Sequence, residues 1–467
     1  MNIVPIRGED EAALEAHRRT LTVALCSWFV RRDGKYYAID NLSAAISKPD
    51  VKIVALQRFR KEFPDVPLSN ELLKAVFTRA LEQTHTDEEQ IVAVWGGRKV
   101  CLPGNLKRIV VQQGLAVVNT WTQPAYRRLG VQGADYGIVG RFVDWVFPRQ
   151  IERDMVLNWL AWCLQNEADK PTWAPFLYSK TKGSGKSTFA QIVTALFGPE
   201  NSVTQNNIDQ LVSRFNMTAL QSKLVISEEL KLRQDSSQSN ALKTYITENT
   251  TLAEFKGKEA ERVTQYCCFL LTTNHLPLWI EAEDRRYYVV EFDHDGHAAG
   301  ARSDEFAKLV GQVLAFLQSP DNVARLYNAL VARQLPDGFS AKTLNVDRDA
   351  TDVMKRIHQA AAQVTTEQLR EHLAKKGLFA ISETSLAEVA QVQLRANANQ
   401  LRHVMAELGW NRLDVKWGGV DYTRKLWVHP DCAVYRGNLT GPGGKSVALE
   451  THLQLADGPA LNLGFDV

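Results

Sequence analysis

Cysteine is scarce in this chain and falls into no pattern. Six cysteines stand among 467 residues. None forms a Cys-x-x-Cys pair or a Cys/His zinc spacing, which excludes a disulfide scaffold and a zinc finger. Cys267 and Cys268 lie inside an apolar run, as reduced core thiols of a cytosolic protein do. No uninterrupted apolar run reaches the ~20 residues that cross a bilayer. The opening MNIVPIRGEDEAALEAH holds no signal-peptide core. A cytoplasmic protein with no membrane partner is therefore expected. No charge sign dominates either: 55 Lys and Arg against 53 Asp and Glu leave a net charge of +2. Any nucleic-acid surface must then be local. Internal repeats and low-complexity blocks are absent.

What is present is ordinary globular composition, 45% hydrophobic and 23% charged, over a length that predicts about two to four domains. Residues 1–105 mix short strands and helices and read as a small α+β domain of open role. Leu21–Phe29 and Lys35–Ile39 read as a hairpin turned at Arg32-Asp33-Gly34, and Glu71–Gln83 as a helix. Residues 106–170 lead through two helices, broken near Pro148, into a segment from 171 to 335. There strand and helix signals alternate to about 297, the signature of α/β with a parallel sheet, and 300–335 is helical. A linker follows, then 348–430 as helices and a hairpin. Residues 431–467, rich in Gly and Pro, read as an extended tail.

The most informative stretch is Phe176–Phe189, FLYSKTKGSGKSTF. An apolar strand runs into a glycine-rich loop and then a helix, the context a nucleotide phosphate requires. Gly183, Ser184 and Gly185 let backbone N–H groups turn inward, and Lys186 reaches the β/γ-phosphates. The Ser187 hydroxyl ligates Mg²⁺, and Thr188 continues into the helix. The full motif has a glycine five residues before Gly185, where this chain has Lys180; Gly183 supplies the freedom instead. ATP and Mg²⁺ are the cofactors this implies.

Three further elements follow in order. Lys223–Glu229, KLVISEE, is an apolar strand ending in paired acids. An ATPase needs one carboxylate for the metal, assigned to Glu228, and one for the attacking water, assigned to Glu229; the reverse order stays open. Cys267–Asn274, CCFLLTTN, is an apolar strand ending on an amide, which can meet the γ-phosphate or the water, or can merely cap a turn. Asp284-Arg285-Arg286 opens the strand Tyr287–Phe292. Its arginines are either a solvated edge or fingers toward a neighbouring subunit's phosphate. Between these, Thr251–Thr264, TLAEFKGKEAERVT, reads as a strand, a Lys-Gly-Lys tip and a return strand.

Taken as an ordered set, GSGKST, LVISEE, AEFKGKEA, FLLTTN and EDRRYYVVEF resemble the superfamily 3 AAA+ helicases. The likeness is to the primase-helicases of phages, plasmids and satellites on the poxvirus-primase-like branch. Val118-Asn-Thr-Trp121 also resembles the segment before the core in those proteins, and the likeness covers about Val117 to His294. It implies a P-loop core preceded by a helical collar at 106–170. It implies a homo-hexameric ring on single-stranded and forked DNA, moving 3′ to 5′ in a bacterial host's cytosol. Lys256 and Lys258 would grip the phosphate backbone in the channel, since such contacts ignore sequence. Residues 1–105 hold no Asp-x-Asp pair, so the chain looks like the helicase part without its primase; a separate primase or host replication protein is a further candidate partner.

The C-terminal segment reads as a winged helix, with helices at Thr365–Lys375, Leu386–Val392 and Asn397–Leu408 and a hairpin from Trp410 to Val428 turned at Gly418-Gly419. Arg402 on the third helix, with Arg424 and Lys425 on the wing, are candidate DNA contacts. A packing role for the module is the alternative. An origin-binding initiator, or another AAA+ ATPase without processive unwinding, is the competing functional reading.

Overall fold

In the computed structural model the residues described are 7–82, 90–206, 217–233, 236–253, 261–281, 283–292, 296–394 and 398–457. Helix α1 (Arg7–Trp28) buries Leu21, Leu25 and Trp28, which recur at helical spacing. They pack on α2 (Lys48–Glu62) and α3 (Asn70–Leu81), contributing to a core with Phe59, Val76 and Phe77. Ser47 and Ser69 cap these two helices, each accepting a backbone N–H from the first turn. The strand expected from Leu21 is thus helix as far as Trp28. A 3.6-residue period that meets two other helices outweighs β propensity. Strand β1 is only Phe29–Arg32, paired with β2 (Lys35–Ala38) across Asp33-Gly34, both at positive φ, and β3 (Asn41–Ile46) completes the sheet.

A second small sheet holds β4 (Trp95–Val100), β5 (Ile109–Gln112) and β6 (Leu115–Asn119) in the order β4-β6-β5. Asn119 is fully buried at its end. Its amide accepts from Leu102 and Trp121 and donates to carbonyls of the 102–107 loop. Helices α4 (Gly137–Val146) and α5 (Gln150–Gln165) follow, separated at Pro148 as expected from proline in a helix. The 106–170 region, expected to be a helical collar, is therefore strand in its first part. The two helices pack into the main core, with Phe142, Val146 and Trp159 among Phe176, Phe189 and Val289. Trp159 is a core residue, donating its indole N–H to the Trp173 carbonyl at 3.0 Å.

The central sheet is built from β7 (Ala174–Tyr178), β8 (Ser202–Gln205), β9 (Leu224–Ser227), β12 (Cys268–Thr273) and β13 (Tyr287–Glu291). Every pairing is parallel and the order is β13-β7-β12-β9-β8. Its inner strands are buried along their whole length, as parallel strands covered on both faces must be. Between β7 and β8 lies α6 (Lys186–Phe197), and between β9 and β12 lie α7 (Ser237–Thr247) and the hairpin of β10 (Thr250–Ala253) with β11 (Glu261–Thr264). Lys170 is buried and donates its ammonium to the carbonyls of Tyr245, Ile246 and Glu248 at the end of α7. Burial pushes its pKa down to about 8. The ammonium still completes orphan carbonyls that the helix end leaves open.

Helices α8 (Ser303–Leu317) and α9 (Pro320–Val331) pack on α4 and α5. Helix α10 (Asp352–Lys376) is longer than the expected Thr365–Lys375. Thr351 caps it, while its hydroxyl donates to the Val289 carbonyl at 2.6 Å, and Gly377 ends it in the left-handed conformation. Val353, Met354 and Ile357 belong to the central core, whereas Leu369 and Leu373 belong to a separate C-terminal core. That core also holds α11 (Glu383–Glu388), α12 (Ala398–Glu407) and Trp427, beneath a sheet of β14 (Ala380–Ser382), β15 (Asn411–Val415) and β16 (Arg424–Val428) in the order β14-β16-β15. The tail expected to be extended over 431–467 is folded through 457, the last of its described residues. Strands β17 (Ala433–Tyr435), β18 (Asn438–Thr440) and β19 (Ser446–Ala448) form a sheet, and α13 (Leu449–Asp457) packs on β14. Leu439 and Leu449, both buried against Leu426 and Val428, supply the apolar anchors that the Gly/Pro-rich composition hid. Among the described residues no helix is long and apolar enough to cross a membrane.

Candidate active site

Ligands of open parallel sheets sit beyond the carboxyl ends of the strands, and three of the motifs end there on adjacent strands. Tyr178 of β7 is level with Thr273 of β12, and Leu271 of β12 with Ser227 of β9. Two interstrand steps of ~4.8 Å therefore separate the strand before the glycine-rich loop from the acidic strand, with the Asn-ending strand between them. Backbone bonds tie the three ends together: Ser179 N–H donates to the Thr273 carbonyl and Leu230 N–H to the Thr272 carbonyl.

The loop after β7 has the features of an anion cradle. Gly183 and Gly185 have φ of 78° and 97°, conformations that a side chain would strain. Gly185 is also the residue before α6, with no side chain capping that helix, so its first N–H groups face the loop. A Cβ at Gly185 would lie 3.0–3.1 Å from Phe306, Phe142 and Val146, so α4 and α8 press on the underside of the loop. A Cβ at Gly183 would meet nothing within 4 Å. Lys186 is buried and donates to the Ser184 hydroxyl at 3.1 Å, while Ser187 is exposed and Thr188 is buried. A buried lysine beside a glycine cradle and an uncapped helix start fits a polyphosphate. The hard oxygen donors at this edge are an exposed hydroxyl at Ser187 and the partly exposed Glu228. Among the described residues no cluster of three or more His, Cys, Asp or Glu side chains forms a metal site. Two hard oxygen donors are what Mg²⁺, which keeps waters and takes few protein ligands, would need.

Glu228 and Glu229 differ in their surroundings. Glu229 is exposed, has φ of 53°, and accepts the side-chain amide of Asn274 at 3.4 Å. A non-glycine residue in the left-handed region costs about 1–3 kcal/mol and persists only where neighbours hold it; here the Leu230 bond to β12 follows it directly. Neither this backbone turn nor the Glu229–Asn274 contact has a sequence signal beyond the two motifs themselves.

The arginines lie elsewhere. Tyr287 of β13 is level with Ala174, the first residue of β7, and Ala174 N–H donates to the Arg286 carbonyl. Arg285 and Arg286 thus stand at the amino edge of the sheet. The glycine-rich loop is at the other edge, beyond a five-residue strand, or about 16 Å at 3.3 Å per residue. The two arginines also differ. Arg286 is bound to buried Asp284 at 3.0 Å, and Asp284 lies 4.0 Å from Lys243, which pairs with Glu281. Arg285 is exposed. Asp284 was missed as a site residue; its signal was its place two residues before Arg286.

Of the candidate DNA contacts, Lys256 and Lys258 lie outside the described residues. The C-terminal cations are engaged within their own module. Arg402 and Arg412 both pair with Glu383, the latter at 2.9 Å. Lys425 pairs with Asp414 at 2.6 Å. Arg424 lies over the Trp417 ring at 3.9 Å and donates to its carbonyl. A sheet-and-helix module is present, but its basic residues would have to exchange partners to meet phosphate.

The fold and site define a mixed α/β protein with a parallel sheet whose carboxyl edge carries a glycine-rich loop, an acidic pair and an amide. A family of unknown function (DUF5906) matches residues 177–286, the span of these motifs. A DNA primase-polymerase of Nitratiruptor phage NrS-1 is 27% identical over 143 residues, 29% of this chain and 19% of that protein. The match thus spans about a fifth of that relative's length. Two apo structures of the NrS-1 C-terminal region share the fold. One has a TM-score of 0.50 at 15% identity and the other 0.51 at 14%; each covers 88% of this chain and 99% of that one.

Proposed function

We propose that the chain is an ATP- and Mg²⁺-dependent DNA helicase of the superfamily 3 AAA+ type, working as a hexameric ring in phage, plasmid or satellite replication. The observation that carries this reading is the division of the site between two edges of one sheet. Lys186, Glu228, Glu229 and Asn274 gather at the carboxyl edge, where one subunit can bind ATP and polarise water. Arg285, at the amino edge, is too far to reach its own subunit's phosphate loop but is presented outward, as a finger for a neighbour's site must be. In this reading Mg²⁺ would supply charge neutralisation for the phosphates, held by Ser187 and Glu228. Lys186 holds the β/γ-phosphates, and Glu229, oriented by Asn274, accepts a proton from the attacking water. The DNA primase-polymerase among its relatives supports a replication role.

The test is ATP turnover with and without single-stranded DNA, together with imaging of particles in a non-hydrolysable ATP analogue. A six-fold ring whose ATPase rises on adding DNA is expected. A monomer or dimer whose slow turnover ignores DNA would overturn the motor reading and favour a nucleotide-switched initiator.

A further inference from the structure

The chain's small excess of positive charge is unevenly placed. From Ile91 to Ala134 there is no Asp or Glu, while Arg98, Lys99, Lys107, Arg108, Arg127 and Arg128 are all there. At the chain's average of 53 acids in 467 residues, about five would fall in that span, so this is more than a solvated face of mixed sign. At least two of the six are engaged with acids from other segments. Arg127 pairs with Glu167 at 2.8 Å, and Arg108 lies 3.7 Å from Asp40. Arg98 and Lys99, on β4, are exposed.

These two face a hollow of about 200 Å³ between β4 and β11, the return strand of the Lys-Gly-Lys hairpin, whose wall includes Arg262, Thr264 and Tyr266. A second hollow, of about 350 Å³, shares Arg98 and Gln112 with the first and continues past Leu115. The two make one furrow across the small sheet. The sheet is fixed to the motor domain rather than tethered to it. Thr120 donates to the Gln221 carbonyl at 2.7 Å, Gln221 donates back to the Lys99 carbonyl at 3.2 Å, and Thr122 and Asn201 exchange two bonds.

We propose that this furrow, with Arg98, Lys99 and Arg262 as its cations, is a track for the phosphate backbone of single-stranded DNA. The proposal rests on the motor reading above and gives a role to the sheet that precedes the core. Three cations from two elements line it, and the acid-free span around β4 brings no repulsion, which suits a polyanion. Gln112 offers an amide that reads no sequence. Half-buried Tyr266 and exposed Leu115 offer the aromatic and apolar surface that unstacked bases use and a duplex does not present.

The test uses the full chain and fluorescent oligo-dT, with anisotropy measured over a range of salt. In an Arg98→Ala, Lys99→Ala, Arg262→Ala variant the affinity should fall at least tenfold. The slope of log K against log salt should flatten by about 2, since each single-strand phosphate contact contributes ~0.7. The loss should be equal for oligo-dA, and Arg98→Lys with Lys99→Arg should restore binding. Basal ATPase and the circular dichroism spectrum should not change. An unchanged affinity and slope in a wild-type protein that binds DNA would overturn the track but leave the motor intact. A larger loss on duplex or RNA than on single-stranded DNA would also overturn the assignment. Wild type that binds no nucleic acid at all would sink the motor reading, and the track with it.

Discussion

The side-chain amide of Asn274 donates to Glu229 across 3.4 Å, joining the ends of β12 and β9 beside the phosphate loop. Of the two acids in the motif, this contact singles out the exposed one held in the left-handed conformation. Glu229→Gln should keep ATP affinity and lower turnover at least about 100-fold, the range of a lost general base. Asn274→Ala should lower turnover by a smaller factor, because the carboxylate stays and only its orientation is lost. Phosphate release and nucleotide binding measured side by side check both. If Glu228→Gln alone separates binding from turnover, the two acids have exchanged roles.

The two loop glycines should respond differently to the same change. Gly185→Ala strains φ and drives a methyl to within about 3 Å of Phe306, Phe142 and Val146; it should lower the melting temperature and abolish ATP binding. Gly183→Ala meets no neighbour, so it should cost only the conformational term, about 1 kcal/mol, and weaken ATP binding mildly. Thermal melts with and without nucleotide separate the two. Lys186→Ala should abolish hydrolysis with little effect on the melt.

Arg285 and Arg286 should also part company. Arg286→Ala leaves the Asp284 carboxylate buried without its guanidinium, and stability should fall by about 2 kcal/mol. Arg285→Ala should leave the melt unchanged, since its side chain is exposed, and should reduce hydrolysis if it serves a neighbour's site. Mixed with Lys186→Ala subunits, Arg285→Ala should regain part of its ATPase, because one interface type then contains both intact groups. Rings that form at every mixing ratio without any recovery would place the arginine's action inside its own subunit.

His452 is fully buried, and its Nε2 accepts the N–H groups of Phe379 and Ala380 at 3.0 and 3.1 Å. Burial pushes its pKa down to about 4 from 6.5. The unfolded chain therefore binds a proton at a pH where the folded one does not, and stability is lost as pH falls from about 6.5 toward 4. The loss amounts to roughly 3 kcal/mol at the low end. His452→Gln, which keeps an acceptor and cannot titrate, should flatten that dependence in melts followed by the fluorescence of Trp410 and Trp427.

The parts of the site that were legible in the residues are those where chemistry and local geometry coincide. In GSGKST the glycines fall where the turn has positive φ, so composition and conformation carry one message. The apolar runs LVIS and CFLLTT likewise could only be buried strands. The order β13-β7-β12-β9-β8 could not be read, because it depends on which strands pair over long separations. With it went the facts that the arginines stand on the opposite edge and that Asn274 meets Glu229. The strand misread at Leu21 shows the same limit. Leu21, Leu25 and Trp28 suit either period until the partners α2 and α3 are known. In the 433–457 unit two buried leucines outweigh a composition that otherwise reads as loop.

Helix α10 is seated in two cores at once, with Met354 in one and Leu373 in the other. It is 25 residues long, or about 37 Å at 1.5 Å per residue, and it is capped at both ends. Its start is anchored to β13, the strand that follows the arginines, through the Thr351–Val289 bond and the Arg356–Glu291 ion pair. A rod held this way would act as a lever arm if its root moved. A 10° tilt of its root would sweep the far end through about 6 Å, on the scale of one turn of helix. A small rearrangement at the central sheet would then reach the C-terminal module as a displacement larger than the one that caused it.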